Sequence, residues 1–236
     1  MTFTCIIPFF NEGERIIKVL DAVVKIKGID EIICADDGST DGTAGIIQQQ
    51  YPQVVIVKNK KNLGKTEAVK TALQQSKREY ILLLDADLQN LHHTMLEKAI
   101  ATFKRDKKID MLILRRTKTP FGVKFPFYDV LLCGQRILKK DDLLKALSIY
   151  RPKGYELELA LNQYMLEKHK KVCIMPLSFT NTGSMKKVGL IPGVYKIFHM
   201  SFGLAFGYIG LSNIIKQLLF FSMKDCQGEL STTDIK

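Results

Sequence analysis

Two carboxylates two residues apart, Asp85 and Asp87, follow directly on the apolar run Tyr80-Ile81-Leu82-Leu83-Leu84. A short continuous apolar run reads as a strand buried on both faces, as in parallel sheets. Carboxylates at its end would stand at the carboxyl edge of the sheet, where open α/β folds take their ligands. Acidic groups crowded there repel one another, so a positive partner is expected between them. A hard divalent ion that also takes phosphate oxygens suits that place. The other reading keeps Asp85 as a cap for the next helix and Asp87 in solvent. Two further polar clusters follow strand-like segments in the same way: Pro8-Phe9-Phe10-Asn11-Glu12 and Asp36-Asp37-Gly38-Ser39-Thr40-Asp41-Gly42-Thr43. Convergence of three clusters on one sheet edge favours a shared site over three separate accidents. Each still has a structural reading. Pro8 can stop a strand and Asn11 can cap a helix. Asp36 or Asp37 can serve a tight turn, with Asp41 capping the next helix, although a turn needs only one of the pair.

Two look-alikes fail on spacing. Asp37-x-Ser39-x-Asp41-Gly42 imitates the start of a calcium-binding EF-hand loop, but the twelfth position is Gln48 rather than a bidentate Glu. Gly64-Lys65-Thr66 imitates the end of a phosphate-binding P-loop, but the first glycine would fall at Asn59.

The elements that would position these residues alternate. Strands are expected at Thr2–Ile7, Glu31–Ala35, Val54–Val57, Tyr80–Leu84 and Met111–Leu114. Helices are expected at Glu12–Ile26, Asp41–Gln50, Lys65–Gln75 and Thr94–Phe103, the first with Ile16, Ile17, Leu20, Val23 and Val24 on one face. This rhythm with short polar connections implies an α/β fold around a mostly parallel sheet with right-handed crossovers. A chain of 236 residues, 46% hydrophobic and 25% charged, is one large folded domain or a domain with an appendage. The net charge of +11 favours acidic partners: nucleic acid, anionic lipid or phosphorylated substrates. With no Trp and no basic-aromatic alternation to stack bases, nucleic acid ranks last. Cys5, Cys34, Cys133, Cys173 and Cys226 are odd in number and far apart, which suits a reducing compartment rather than a disulfide framework or a zinc site. Met1 leads straight into a strand-like segment, so no signal peptide is expected.

Four motifs occur in order: Pro8-x-x-Asn11-Glu12; Asp36-Asp37-Gly38-Ser39-x-Asp41-Gly42-Thr43; Asn62-Leu63-Gly64-Lys65; and Asp85-Ala86-Asp87-Leu88-Gln89. In order and spacing they resemble the inverting family 2 glycosyltransferases of the GT-A (Rossmann-like) fold, especially the dolichyl/polyprenyl-phosphate sugar synthases. The likeness is strong over about the first 115 residues and looser from Gly134-Gln135-Arg136 through Glu158. It implies a nucleotide-sugar donor (UDP- or GDP-sugar), with Mg²⁺ or Mn²⁺ held by Asp85, Asp87 and Gln89, all oxygen donors. It further implies that Asp36 or Asp37 accepts hydrogen bonds from the nucleobase or ribose, and that Pro8, Phe9 and Glu12 line the base pocket. Ala86 lies within the same donor-binding motif. Lys65 would bring positive charge near the donor, or be only a surface residue of a first helical turn. Arg115 and Arg116 are candidates for diphosphate contacts, since guanidinium forks suit phosphate.

The second half bears on the acceptor. In the polyprenyl-phosphate branch a Gly-x-Arg reaches the acceptor phosphate, a role carried here onto Arg136; otherwise it is a surface arginine starting a helix with Leu138, Leu143 and Leu144. Residues 119–127 form a loop too apolar to be idle. Gly154-Tyr155-Glu156-Leu157-Glu158 begins a helix with two carboxylates. For a hydroxyl acceptor, Glu156 or Glu158 must act as general base. A phosphate acceptor is already ionised, and Glu156 would then orient or merely cap.

Ile197 to Ile215 holds 19 residues without Lys, Arg, Asp or Glu, followed by Leu218-Leu219-Phe220-Phe221. That is near the length of a membrane span. His199, Ser201, Ser212, Asn213 and three glycines dilute it, and an interfacial or re-entrant anchor is favoured over a full crossing. Lys186, Lys187, Lys196, Lys216 and Lys224 would attract anionic headgroups.

The expected organisation is a catalytic domain over 1–190, with a nucleotide-sugar half at 1–116 and an acceptor half at 117–190. An apolar membrane-associating helical segment over 191–224 and a polar tail over 225–236 follow. The expected setting is the cytoplasmic face of a membrane, peripheral or monotopic. Several departures from the family stand out. Leu91-His92-His93 replaces a proline-rich turn, Thr66 replaces a glycine, and the Gln-x-x-Arg-Trp of processive synthases is missing. A sugar-phosphate nucleotidyltransferase would share the sheet and the carboxylates, but would carry a glycine-rich basic loop after its first strand; Pro8–Glu12 has no glycine.

Overall fold

The computed structural model describes residues 1–117, 128–181, 208 and 210–221. The chain opens as β1 (Phe3–Phe9), α1 (Glu14–Val23), β2 (Glu31–Asp36), α2 (Thr43–Gln50), β3 (Val55–Lys58), α3 (Lys65–Gln75) and β4 (Tyr80–Leu83). It continues through β5 (Leu88–Gln89), α4 (His93–Arg105), β6 (Met111–Arg116), α5 (Tyr128–Leu131), β7 (Arg136–Lys139) and α6 (Lys140–Tyr150). Then come α7 (Leu157–Glu167), β8 (Val172–Leu177), β9 (Thr180–Asn181) and α8 (Leu211–Phe221).

Seven strands form one sheet in the order β3-β2-β1-β4-β7-β6-β8. All run parallel except β7, which lies antiparallel to β4 and β6. Alternate residues of the central strands feed opposite cores, as period-2 geometry requires. Cys5, Ile7, Leu82, Leu84, Leu112 and Leu114 pack with α1, α2 and α4. Ile6, Ile81, Leu83, Met111 and Ile113 pack with α3, α6 and α7. The mostly parallel α/β sheet flanked by helices, expected from the sequence, is therefore present.

Element limits move for local reasons. Asn11 and Gly13 take positive φ values of 52° and 48°, so α1 starts at Glu14 rather than Glu12. Pro8 does not stop β1; it pairs with Ala35 of β2. On its other side β4 has already ended at Leu83, opposite Ile6, so the missing N–H deprives no neighbour. Residues 136–139 form a strand rather than the start of a helix: they fill the gap between β4 and β6, with Leu83 opposite Arg136, and the helix begins at Lys140. This insertion matters for the site. An antiparallel strand begins at the edge where parallel strands end, which brings Gly134 and Gln135 beside Asp85.

Candidate active site

The three sequence clusters lie at the carboxyl edge, and the first two are stitched together through backbone groups. Ser39 Oγ accepts from Asn11 N at 3.0 Å, Asn11 Oδ1 from Thr40 N at 2.9 Å, and Thr43 Oγ1 from Gly13 N at 2.9 Å. Asn11 and Asp41 thus do not cap by the simple rule. Asn11 ties the first loop to the second, while Asp41 accepts from the backbone and hydroxyl of Thr43 at 3.1 and 2.6 Å. Glu12 pairs with Arg15 at 2.5 Å at the mouth of an open depression of about 410 Å³, lined also by Asn11, Lys18 and Asp41. Pro8 and Phe9 are buried within β1, and Phe10 beyond them is exposed.

Asp36 and Asp37 separate in role. Asp37 is 4% exposed and accepts from Asn59 Nδ2 (2.8 Å), Leu63 N (3.0 Å) and Gly64 N (2.6 Å). It thereby folds the Asn62–Gly64 loop. Gly38, at φ +80°, lies under that loop so closely that a Cβ would fall 2.6 Å from the carbonyl carbon of Lys61. Asp36 spends Oδ1 on Ser39 N at 2.6 Å. Its buried Oδ2 has no hydrogen-bond partner, only the Lys58 ammonium 3.4 Å away.

Lys65, the first residue of α3, is not a surface side chain. Its ammonium lies 2.7 Å from Asp85 Oδ1 and 2.6 Å from Glu158 Oε1. The other oxygen of Asp85 takes a hydrogen bond from the side-chain amide of Gln135. Burial works against charge at Asp85, but the Lys65 ammonium, the Gln135 amide and Arg116 outweigh it and hold the carboxyl below its ordinary range. At Lys65 burial is likewise outweighed, by Asp85 and Glu158, and the ammonium is held more firmly than usual. Gly134 makes this possible: a Cβ there would lie 2.6 and 2.7 Å from the two Asp85 oxygens and 2.7 Å from Lys65 Nζ. Asp85 therefore caps no helix. The Arg116 charge is near enough to help hold Asp85 ionised, and by strand alternation Arg115 points to the other face of β6 from Arg116.

Ala86 and Leu88 are buried in the core, and Asp87 is 7% exposed. Gln89, in β5, lies opposite Thr180 of β9 in a two-stranded ribbon beyond the main sheet. Asp87 lies in the turn that leads into this ribbon, next to the buried Leu88. Among the described residues no three His, Cys, Asp or Glu side chains gather as a ready-made metal centre. His92 is exposed at the start of α4.

A match to the family model for "Glycosyl transferase family 2" covers residues 4–155, well over half of the chain. The chain is a family 2 glycosyltransferase. A dolichyl-phosphate beta-glucosyltransferase of Dictyostelium discoideum is 29% identical over 161 residues, which are 62% of this chain and 43% of that enzyme. An uncharacterised protein of Methanocaldococcus jannaschii is 29% identical over 171 residues, 58% of this chain and 72% of that one. This glycosyltransferase thus spans less than half of the dolichyl-phosphate relative. The structure resembles glucosyl-3-phosphoglycerate synthase from Mycobacterium tuberculosis, solved with Mn²⁺, UDP and glucosyl-3-phosphoglycerate. The TM-score is 0.70 at 18% identity, covering 92% of this chain and 80% of that one. That likeness gives the GT-A fold. The family match is to glycosyl transfer, not to nucleotidyl transfer.

Arg136 requires a correction. It is 0% exposed, pointing into the core from β7. Its guanidinium donates to the carbonyls of Cys133 (2.7 Å) and Leu131 (3.1 Å), to Asn162 Oδ1 (2.6 Å) and toward the Met111 sulfur. With its fork taken up by these partners and no opening to solvent, it does not reach an acceptor phosphate here, nor is it a surface residue. It ties β7 to α7. Glu156 also departs from a free carboxylate: its Oε2 accepts from Lys153 N at 2.7 Å, closing the turn before α7. Sequence reasoning missed Gln135 and the pairing of Glu158. Gln135 lay inside a motif read for its arginine, and Lys65, the partner of Glu158, is 93 residues away. Residues 119–127, 182–207 and 222–236, with the apolar loop, most of the apolar segment, and Lys186, Lys187, Lys196 and Lys224, lie outside the described residues.

Proposed function

We propose that this glycosyltransferase moves a single sugar, with inversion, from a UDP- or GDP-sugar to polyprenyl phosphate at a membrane surface. The observation that carries the acceptor choice is the engagement of both candidate bases. Glu156 holds its own turn and Glu158 is clamped on Lys65. A hydroxyl acceptor needs a carboxylate open to receive its proton. A phosphate acceptor attacks as an anion and needs none. The relatives that act on dolichyl phosphate agree with this reading. The hydroxyl alternative would have to use the remaining oxygen of Glu156 or Glu158, on a carboxylate already engaged by these contacts.

In this reading Asp36, with its buried orphan oxygen, contacts the nucleoside beside Pro8, Phe9 and Glu12. Asp37 acts at one remove, by shaping the loop that carries Lys65. Asp87 and Gln89 offer hard oxygen donors of the kind that Mg²⁺ or Mn²⁺ takes; Asp85 would join them only by sharing a carboxylate already held by Lys65 and Gln135. Such an ion supplies Lewis-acid stabilisation to the departing diphosphate. Arg116, on the side of Asp85, adds positive charge for the same phosphates, and Arg115 stands further off. Residues 1–190 make the catalytic domain.

The membrane reading rests on α8. Leu211, Ile215 and Leu219, spaced by four, are 52, 48 and 68% exposed, with Lys216 beside them. The opposite face buries Gln217 and Phe221 against the body of the protein, Gln217 donating to Leu159 O at 3.3 Å and Gln163 Oε1 at 3.0 Å. An apolar stripe edged by lysine is the pattern of an in-plane interfacial helix. No helix among the described residues is long and apolar enough to cross a bilayer.

The test is nucleoside diphosphate release from a panel of UDP- and GDP-sugars, with polyprenyl phosphate or polyprenol, in Mn²⁺ or EDTA. Transfer to the phosphate and not the alcohol is expected, with Glu156→Gln losing less than about tenfold, where loss of a general base costs about 10²–10⁴-fold. Transfer to the alcohol alone, or a thousandfold loss in Glu156→Gln, would overturn the reading.

A further inference from the structure

We propose that Glu158 is a positioning residue for transfer: it acts through Lys65, holding that ammonium on Asp85, and takes no proton from the acceptor. The inference rests on the glycosyl-transfer reading and deepens it at the same site. Three elements that are remote in sequence meet at one nitrogen. Lys65 begins α3, Asp85 follows β4, and Glu158 lies in the first turn of α7. A lysine anchored to Asp85 alone could swing on its four-carbon stem; a second carboxylate on the far side removes that freedom.

The backbone around the contact is built for the same end. Gly154 O accepts from both Thr66 N (3.1 Å) and Thr66 Oγ1 (2.8 Å). The same turn comes so near that a Cβ on Gly64 would lie 3.1 Å from Gly154 Cα. The start of α3 and the turn before α7 are thus latched to each other, which sets the distance from Lys65 to Glu158. From the other side Asp37 holds Leu63 N and Gly64 N, and Gln135 holds the second oxygen of Asp85. Every partner of Lys65 is itself fixed. Glu158 is 5% exposed and already bonded to a cation at 2.6 Å, the opposite of what proton abstraction needs.

The experiment uses the full chain, the best donor from the screen, and Glu158→Gln alone and on a Lys65→Met background. The amide keeps an oxygen for Lys65 but loses the charge that holds it. For a positioning residue, kcat falls about 10–100-fold, in the range of a misplacement near 1 Å, with donor KM nearly unchanged. The acid limb of the pH–rate profile keeps its shape, and on the Lys65→Met background the same change adds less than about twofold, because its intermediary is gone. A base gives the reverse: loss of the acid limb and a full further loss without Lys65. That result, or undiminished turnover in Glu158→Gln, overturns the proposal. Backbone amide exchange at Lys65 and Thr66 reports independently of turnover. Faster exchange in Glu158→Gln is expected, and identical exchange overturns the proposal even if no donor is found. Absence of nucleoside diphosphate release by the wild type with every donor would instead strike the transferase reading.

Discussion

Replacing Lys65 by methionine tests the core of the site, because it deletes one charge while keeping most of the stem. The ammonium lies 2.7 and 2.6 Å from Asp85 and Glu158, whose side chains are 26 and 6% exposed. Without it, two carboxylate oxygens face each other across no more than about 5 Å, a repulsion of about 3 kcal/mol at an effective dielectric constant near 20. Removing one partner of a buried pair costs about 3–5 kcal/mol in general. The expected loss at pH 7.5 is therefore about 3–5 kcal/mol, a large share of the 5–15 kcal/mol typical of a domain. The pH dependence gives the sharper check. In the wild type the Asp85 carboxyl is held below its ordinary range, so its stabilisation is present above the unfolded pKa and is lost only as pH falls through the depressed folded value. From pH 7.5 to 5.5 this group costs the wild type nothing. In Lys65→Met the pair loses the one ammonium bonded to both carboxylates and keeps only the charges of Arg116 and Arg136, so burial and mutual repulsion gain weight, and stability is expected to recover on acidification as one carboxylate takes a proton. Urea unfolding of both proteins at pH 7.5 and 5.5 measures this. A loss under about 1 kcal/mol, or a variant that weakens on acidification as the wild type would at lower pH, would refute the reasoning.

Gly134→Ala places a methyl against Asp85 and Lys65; turnover should fall by about a hundredfold with a stability loss of about 1–3 kcal/mol, read by diphosphate release and urea unfolding. Gly38→Ala meets backbone rather than a yielding side chain and also carries positive φ, so its unfolding midpoint should drop by more than that of Gly134→Ala. Asp87→Asn should abolish Mn²⁺-dependent turnover while leaving the circular dichroism spectrum and melting temperature near those of the wild type; retained turnover would remove the metal role. Serine at Leu211, Ile215 and Leu219 together should release the protein from phosphatidylserine vesicles in flotation without loss of solubility.

The range of the forces involved decides how much of this is legible in the chain. Periodicity and apolar runs are local, and they located β1 to β4, β6 and the helices α1 to α4 to within a few residues, while the two-residue β5 was not read from them. Ends shifted where loops needed positive φ at Asn11 and Gly13, a demand the tertiary stitching creates. The four-residue segment at Arg136 carried no usable period, and its pairing is imposed by the space between β4 and β6. Arg136 was misplaced for the same reason. A strand assignment would have shown that its neighbour Gln135 faces the acidic motif while it faces the core.

The motifs told which residues belong to the site but not how they share the work, and here electrostatics is decisive. In the sequence Asp36 and Asp37 are equivalent, yet three donors converge on Asp37 while one oxygen of Asp36 is left without a donor. Lys65 looked like an exposed first-turn lysine because nothing nearby in the chain demands a cation; the demand comes from Asp85, 20 residues on, and Glu158, 93 residues on. A carboxylate buried by folding must find a counter-charge or take up a proton. Once β7 and α7 close over the acidic motif, one ammonium serves two of them. That sharing is what makes Glu158 a clamp rather than a base in the proposal above.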